Sequence, residues 1–155
     1  MRKLWVVVGA VAALTAGGVA TPVEADGVYR TQHIDLQALD GAPLRSGSVT
    51  NIHANGPVVY ALEQYHVNGA APRTTYEVML ELYVLDPQCS GDPAGVLPTA
   101  SFTTNGAGNG HGKARFAPQD VAPFPKAPAV HGVNWVLMDG TTAAYETGCQ
   151  QVVLD

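Results

Sequence analysis

Residues 74–85 form the longest unbroken alternation of apolar and polar side chains in the sequence. One face is apolar at every second position: Tyr76, Val78, Leu80, Leu82 and Val84. The opposite face carries Thr75, Glu77, Met79, Glu81 and Tyr83. A period of two is typical of a β-strand with one buried face. A helix would place the like charges of Glu77 and Glu81 next to each other. The stretch therefore predicts a central strand of an all-β domain.

Other alternating stretches are separated by turn sequences rich in Gly, Pro, Asn and Asp. They predict further strands at residues 27–39, 45–52, 58–67, 99–104, 111–116, 130–138, 142–147 and 150–154. Val49 and Ile52 are expected to point inward, and residues 97–118 to form a hairpin with its tip at 105–110. Four prolines in residues 118–128 predict an irregular or polyproline connection. About eight or nine strands predict an antiparallel β-sandwich.

The first 25 residues have the pattern of a secretory signal peptide. Arg2 and Lys3 precede an uncharged apolar run, which is too short to span a bilayer, and small residues follow it. We predict cleavage after Ala25, with cleavage after Ala20 as the alternative. Residues 26–155 then form one secreted, extracellular domain without a membrane span. This domain carries 6 basic and 12 acidic residues, and this acidic balance argues against nucleic acid as a partner.

Cys89 and Cys149 are the only cysteines in the chain. An even number of cysteines in an exported protein predicts a disulfide. Two free thiols, or separate intermolecular bridges, are the alternatives. A bridge between them would close a loop of about 60 residues and stabilise the domain by roughly 4 kcal/mol.

Residues 72–78, Pro-Arg-Thr-Thr-Tyr-Glu-Val, resemble the tyrosine corner of immunoglobulin-like and fibronectin type III sandwiches. The resemblance implies that Tyr76 is structural and that its hydroxyl binds backbone just upstream. Trp135 lies between the two cysteines, but both cysteines follow the corner, so the topology is not that of an antibody domain. Residues 97–118 and 145–155 are also similar to small secreted β-sandwich proteins of high-GC Gram-positive bacteria. That resemblance implies no activity.

No motif in the sequence predicts a catalytic, cofactor or metal site. The five histidines, His33, His53, His66, His111 and His131, lack the spacing of a zinc motif, although strands can bring distant residues together. The loop at residues 105–110 has no carboxylate for calcium. The chain has no Gly-x-Ser-x-Gly sequence, and the spacing of Glu77 and Glu81 along a strand is too wide for a coupled carboxylate pair.

The remaining candidates form a binding face on the polar side of the central strand. Trp135 is expected in the core, whereas Tyr83 shares a face with Glu77 and Glu81 and is the better candidate for exposure. We therefore predict a secreted, non-catalytic, immunoglobulin-like β-sandwich that binds a protein or carbohydrate at the cell exterior. The alternatives are a small secreted hydrolase or metal-dependent enzyme whose site assembles in the fold, and a structural envelope component.

Overall fold

The computed structural model describes residues 30–54 and 56–154, and the predicted signal peptide and its cleavage sites lie outside them. Ten strands and one short helix make up this part of the chain. In order they are β1 (Arg30–Asp35), β2 (Gln37–Ala38), β3 (Ser46–His53), β4 (Ala61–Asn68), β5 (Thr75–Tyr83), β6 (Gly95–Thr103), β7 (Gly110–Phe116), α1 (Pro118–Val121), β8 (Val130–Asp139), β9 (Thr142–Glu146) and β10 (Gln150–Val153).

The strands form two antiparallel sheets, which confirms the predicted β-sandwich. The four-stranded sheet has the order β1-β3-β4-β7, and the six-stranded sheet has the order β2-β9-β8-β5-β6. β10 pairs with the first residues of β8, while β9 pairs with its last residues. Because β5 takes the other edge of β8, β9 and β10 lie one after the other along the same edge.

The predicted central strand lies in the middle of the larger sheet, between β6 and β8. Its apolar face is buried as predicted, with Tyr76 1%, Val78 0% and Leu82 7% exposed. Leu80, on the same face, is only partly buried. From the facing sheet, Val49 and Tyr65 complete the core.

The stretch predicted as the first strand, residues 27–39, contains two strands, β1 and β2. The described part of the chain therefore has ten strands. β1 is an edge of the four-stranded sheet and β2 an edge of the six-stranded sheet. The chain crosses between sheets at Leu36, which is 6% exposed and donates its backbone N–H to the Gly47 carbonyl over 2.9 Å. A crossing leaves the alternation of side chains almost unchanged, so the sequence pattern did not reveal it.

The predicted hairpin at residues 97–118 is wrong, because β6 pairs with β5 in one sheet and β7 pairs with β4 in the other. The intervening turn packs against the connection between β4 and β5. Gly108 has φ +75°, and a Cβ atom there would lie 2.0 Å from the Ala70 carbonyl oxygen. Thr104, 3% exposed, donates its hydroxyl to the Ala71 carbonyl over 2.6 Å. These contacts hold the turn at the junction of the two sheets.

Two smaller predictions also need correction. Residues 118–128 contain the single helical turn α1, which starts at Pro118 and is stabilised by the Asp120 carboxylate, the acceptor for the Ala117 N–H at 2.7 Å. Ile52 does not share the inward face with Val49, because residues three apart on a regular strand point to opposite faces. The inward positions of β3 after Val49 are Asn51 and His53, and His53 is 9% exposed.

The predicted disulfide is confirmed. Cys89 and Cys149 are bonded, and their Cα atoms lie 5.8 Å apart. The bond connects the loop after β5 to the turn between β9 and β10. It thereby fixes the start of β10 relative to the middle of the larger sheet.

Candidate functional site

A cavity of about 680 Å³ lies between the two sheets at one end of the sandwich. Two cross-strand rows face each other across it. The row of the four-stranded sheet is Gln32, Asn51, Glu63 and Ala114, which are neighbours in the strand register. The row of the six-stranded sheet is Leu97, Leu80 and Trp135. One wall is therefore mainly polar, and the opposite wall is apolar.

Three tyrosines fill the interior of the sandwich beside the cavity. There, Tyr65, Tyr76 and Tyr145 are 0–1% exposed. The rings of Tyr76 and Tyr145 pack in a tilted arrangement, with centroids 5.3 Å apart. Around the cavity the inward side chains are shorter, and Leu80 retains accessible surface between the buried Val78 and Leu82. The remaining walls are mostly apolar: Leu82, Phe116, Phe124, Val133 and Val152.

Glu63 is the most deeply buried carboxyl group among the described residues, at 3% exposed. Burial raises its pKa to about 7, because the charged form loses its hydration. The Tyr65 hydroxyl and the indole N–H of Trp135 interact with the carboxylate and lower the pKa in part. None of the groups that shift this pKa is a cation.

The hydroxyl groups of Tyr65 and Thr99 form a chain of contacts beside Glu63. Tyr65 Oη contacts Glu63 Oε2 and lies 2.8 Å from Thr99 Oγ1, and Thr99 donates to the Val78 carbonyl over 3.2 Å. These three contacts need three hydrogens, but Tyr65 and Thr99 supply only two. A protonated Glu63 supplies the third, so that each contact has one donor.

Two further polar atoms are buried at the cavity without a hydrogen bond of ordinary geometry. They are Oδ1 of Asn51, opposite Glu63 in the register, and Nε1 of Trp135. The indole N–H acts on the Glu63 carboxylate as a nearby dipole, although its geometry falls short of a hydrogen bond. Arg30, Arg115 and Asp120 are exposed and line the mouth. The interior thus offers oxygen acceptors, and the charged side chains lie at the entrance.

The predicted binding-face residues lie on the outer face of the six-stranded sheet, away from the cavity. Glu77 is exposed, and Glu81 and Tyr83 are partly buried. The Tyr83 hydroxyl donates to Glu81 over 3.1 Å, and Asn134 donates to Glu81 and Glu146 over 3.2 and 3.1 Å. Glu81 and Tyr83 are thus parts of a polar cluster that is satisfied by its own hydrogen bonds.

Tyr76 is structural, but its contact differs from the one that the resemblance implied. Its hydroxyl lies 3.1 Å from the Tyr145 hydroxyl, which in turn donates to the Pro43 carbonyl over 2.8 Å. The two tyrosines therefore connect β5, β9 and the segment before β3. Burial and the Tyr76 hydroxyl raise the pKa of Tyr145 above its usual range.

The five histidines are spread over both faces of the fold. His66 and His111 stack on the outer face of the four-stranded sheet, with centroids 6.4 Å apart, and His33 lies 3.1 Å from the Thr50 hydroxyl. His131 is fully buried: its Nδ1 accepts the Leu85 N–H, and its Nε2 lies 2.9 Å from the Pro125 carbonyl. Within residues 30–54 and 56–154, no three His, Cys, Asp or Glu residues are placed to hold a metal ion.

Sequence reasoning missed Glu63 and Asn51. The signal for Glu63 was present, because it shares a period-two face with Ala61, Tyr65 and Val67, all of which are buried. The signal for Asn51 was concealed by the assignment of Ile52 to the inner face. That the two residues lie opposite each other depends on strand register, which no local pattern reveals.

In the described part of the chain, no helix is long and apolar enough to cross a membrane. No family model, curated protein or solved structure matches the sequence.

Proposed function

We propose that the protein is a secreted, non-catalytic β-sandwich that binds a small, mainly apolar molecule in the cavity between its sheets. The observation that carries this proposal is the cavity itself, about 680 Å³ in volume and lined by inward-facing side chains of both sheets. Small-molecule sites typically enclose about 300–1,000 Å³ and combine apolar walls with a few polar groups. The cavity has both properties.

The walls favour an apolar molecule over the protein or carbohydrate expected from the sequence. Leu80, Leu97 and Phe116 present hydrocarbon surface to the cavity. Covering such surface contributes about 25 cal/mol per Å² removed from water. A sugar would leave most of its hydroxyl groups without partners on these walls, at a cost of about 1–3 kcal/mol for each buried group. A protein segment would need a longer open surface.

We further propose that the protein is exported by way of residues 1–25 and is related to immunoglobulin-like sandwiches. The disulfide between Cys89 and Cys149 supports export, because such bonds persist in oxidising compartments. Mass spectrometry of the protein from culture medium should give an N-terminus at Thr21 or Asp26. Recovery of the chain with Met1 intact from the cytoplasm would contradict export.

One observation favours an enzyme as the second candidate. A carboxyl group with its pKa raised to about 7 inside a cavity is suited to general acid–base catalysis. Asp120 lines the same cavity, but at its exposed mouth. Conversion of a bound compound that stops in Glu63→Gln would assign the protein to this class, whereas release of the compound unchanged supports a binding protein.

The binding proposal can be tested with N-phenyl-1-naphthylamine, an apolar probe that fluoresces when it leaves water. Titration of the chain from Asp26 onward should give a saturable increase in emission. Leu80→Trp should weaken binding at least about ten-fold, because the larger ring fills the cavity. Leu97→Trp, at an edge position that is 44% exposed, should have the same effect with less risk to folding.

The matched control is Met79→Trp, the neighbouring position on the outer face of β5. It adds the same indole but does not line the cavity. The three variants should unfold cooperatively, and only the two cavity variants should lose probe binding. Equal binding by all three, or no saturable binding by the parent protein, would refute the proposal.

A further inference from the structure

The polar groups of the cavity show which chemical group a ligand would present to them. Asn51 and Glu63 are direct cross-strand neighbours, and both point inward. Opposite positions in an antiparallel pair place Cβ atoms about 4.5–5.5 Å apart, so one small group can contact both side chains. Asn51 Oδ1 is buried without a hydrogen-bond donor. Glu63 has a second carboxyl oxygen besides the one that contacts Tyr65.

Both oxygens are hydrogen-bond acceptors, so a ligand group that binds them must be a hydrogen-bond donor. A buried acceptor without a donor costs about 1–3 kcal/mol, which a ligand that supplies the hydrogen bond would recover. When Glu63 is ionised, Tyr65 donates to one of its oxygens, and the second oxygen can accept a further donor. Trp135 Nε1 is a buried N–H donor without a hydrogen bond of ordinary geometry.

The charge of the site is complementary to a cation. Glu63 is deeply buried, and no cation contributes to its pKa shift. The rings of Trp135, Phe116 and Phe124 also line the cavity, and aromatic faces attract ammonium groups, whereas Lys126 Nζ already lies over the Tyr60 ring, 5.0 Å from its centroid. The arginines at the mouth are exposed, so water and salt screen their repulsion.

We infer that the ligand is an apolar molecule with a protonated amine, whose ammonium group donates hydrogen bonds to Glu63 and Asn51 while its hydrocarbon part contacts the apolar wall. This inference rests on the proposed function of the cavity. Below its pKa, Glu63 releases its proton to solvent on binding, and above its pKa the ammonium neutralises a carboxylate that is already ionised. In both cases the occupied cavity is neutral and contains charge-assisted hydrogen bonds.

The test compares three probes of equal chain length, n-octylamine, 1-octanol and octanoate, as competitors of N-phenyl-1-naphthylamine. The measurement is made at about pH 8, where Glu63, with its pKa of about 7, ionises readily. Octylamine should displace the fluorescent probe at a concentration about ten-fold lower than octanol, because a charge-assisted hydrogen bond is stronger than a neutral one. Octanoate should be the weakest competitor.

Variants separate the head-group inference from the function itself. Glu63→Gln should keep probe and octanol binding but lose the preference for octylamine, and Asn51→Ala should reduce that preference. Glu77→Gln removes the same charge from an exposed site on the other sheet and should change nothing. Equal displacement by the amine and the alcohol, a preference that persists in Glu63→Gln, or strongest binding of octanoate would overturn the inference while leaving the proposed function intact. Failure of every compound to bind would overturn both.

Discussion

Glu63 makes the stability of the fold depend on pH. It is 3% exposed, and burial raises its pKa from 4.5 to about 7. The unfolded chain therefore loses this proton at a lower pH than the folded chain does. A group with a raised pKa stabilises the folded state below its unfolded pKa, and this stability is lost as the pH rises through the folded value.

We expect Glu63→Gln to remove this dependence, because glutamine keeps the shape of the side chain without a titrating proton. At about pH 4.5 the variant and the parent should have similar free energies of unfolding. Between about pH 4.5 and 7 the free energy of unfolding of the parent should fall relative to that of the variant. Above pH 7 the difference should reach roughly 3 kcal/mol. Urea unfolding across this pH range measures the difference.

Glu77→Gln is the control for this measurement, because Glu77 is exposed and carries the same charge. Its difference from the parent should stay flat over the same pH range. A flat difference for Glu63→Gln as well would show that Glu63 is solvated in the folded protein and that the cavity is open to water at that point.

The sequence predicts the direction of the Glu63 side chain but not its burial. Periodicity along residues 61–67 directs Glu63 inward with Ala61, Tyr65 and Val67. A buried carboxylate is rare unless it is paired, so general expectation favours a surface position. The Tyr65 hydroxyl contacts the Glu63 carboxyl group and is itself in contact with Thr99, which lies 36 positions after Glu63, and only the fold brings Thr99 close.

The central strand β5 shows how one face of a single element can be both core and ligand wall. Val78 is 0% exposed and does not line the cavity, whereas Leu80, two positions further along the same face, does line it. Period two predicts which face points inward. It does not predict which inward side chains meet a packed partner, because that depends on the opposing sheet.

We therefore expect unequal effects of alanine substitution along this face. Val78→Ala leaves a new void in packed surroundings and should cost about 2–3 kcal/mol. Leu80→Ala enlarges an existing cavity and should cost less, about 1–2 kcal/mol. Glu77→Ala, on the solvent face, should cost under about 0.5 kcal/mol. Midpoints and slopes of urea unfolding for the three variants give these values. Equal losses at Leu80 and Val78 would mean that no cavity adjoins Leu80.

Pairing between elements was the main limit of sequence reasoning. The Asn- and Gly-rich stretch at residues 105–110 is equally compatible with a hairpin tip and with a crossing between sheets. The crossing depends on contacts with Ala70 and Ala71, more than 30 residues earlier in the chain. The Ala70 N–H donates to the Gly108 carbonyl, and the Thr104 hydroxyl donates to the Ala71 carbonyl. A local sequence pattern does not reveal such contacts. The position of β5 and the face that it buries, in contrast, follow from the residues of β5 alone.

On the scale of the molecule, the cavity and the disulfide are connected through β10. This strand of four residues pairs only with β8, and Val152 from it lines the cavity. Cys149 immediately precedes the strand, and at its other end the Leu154 carbonyl accepts the Ala127 N–H over 2.6 Å. The disulfide therefore holds one wall of the cavity in place as well as stabilising the domain.

The double variant Cys89→Ala/Cys149→Ala should consequently lose both stability and probe binding. The bond spans 60 positions, for which loop-closure entropy predicts a loss of roughly 4 kcal/mol, within a general range of about 2–5 kcal/mol. Affinity for N-phenyl-1-naphthylamine, measured in buffer where the variant is still folded, should fall several-fold because β10 has lost the anchor at its start. Leu137→Ala is the matched control, since Leu137 is fully buried and does not line the cavity, and its truncation lowers stability by a similar amount without releasing β10. If the two variants lose the same affinity, the loss follows from general destabilisation. If the double variant binds the probe as tightly as the parent, the position of β10 does not depend on the disulfide.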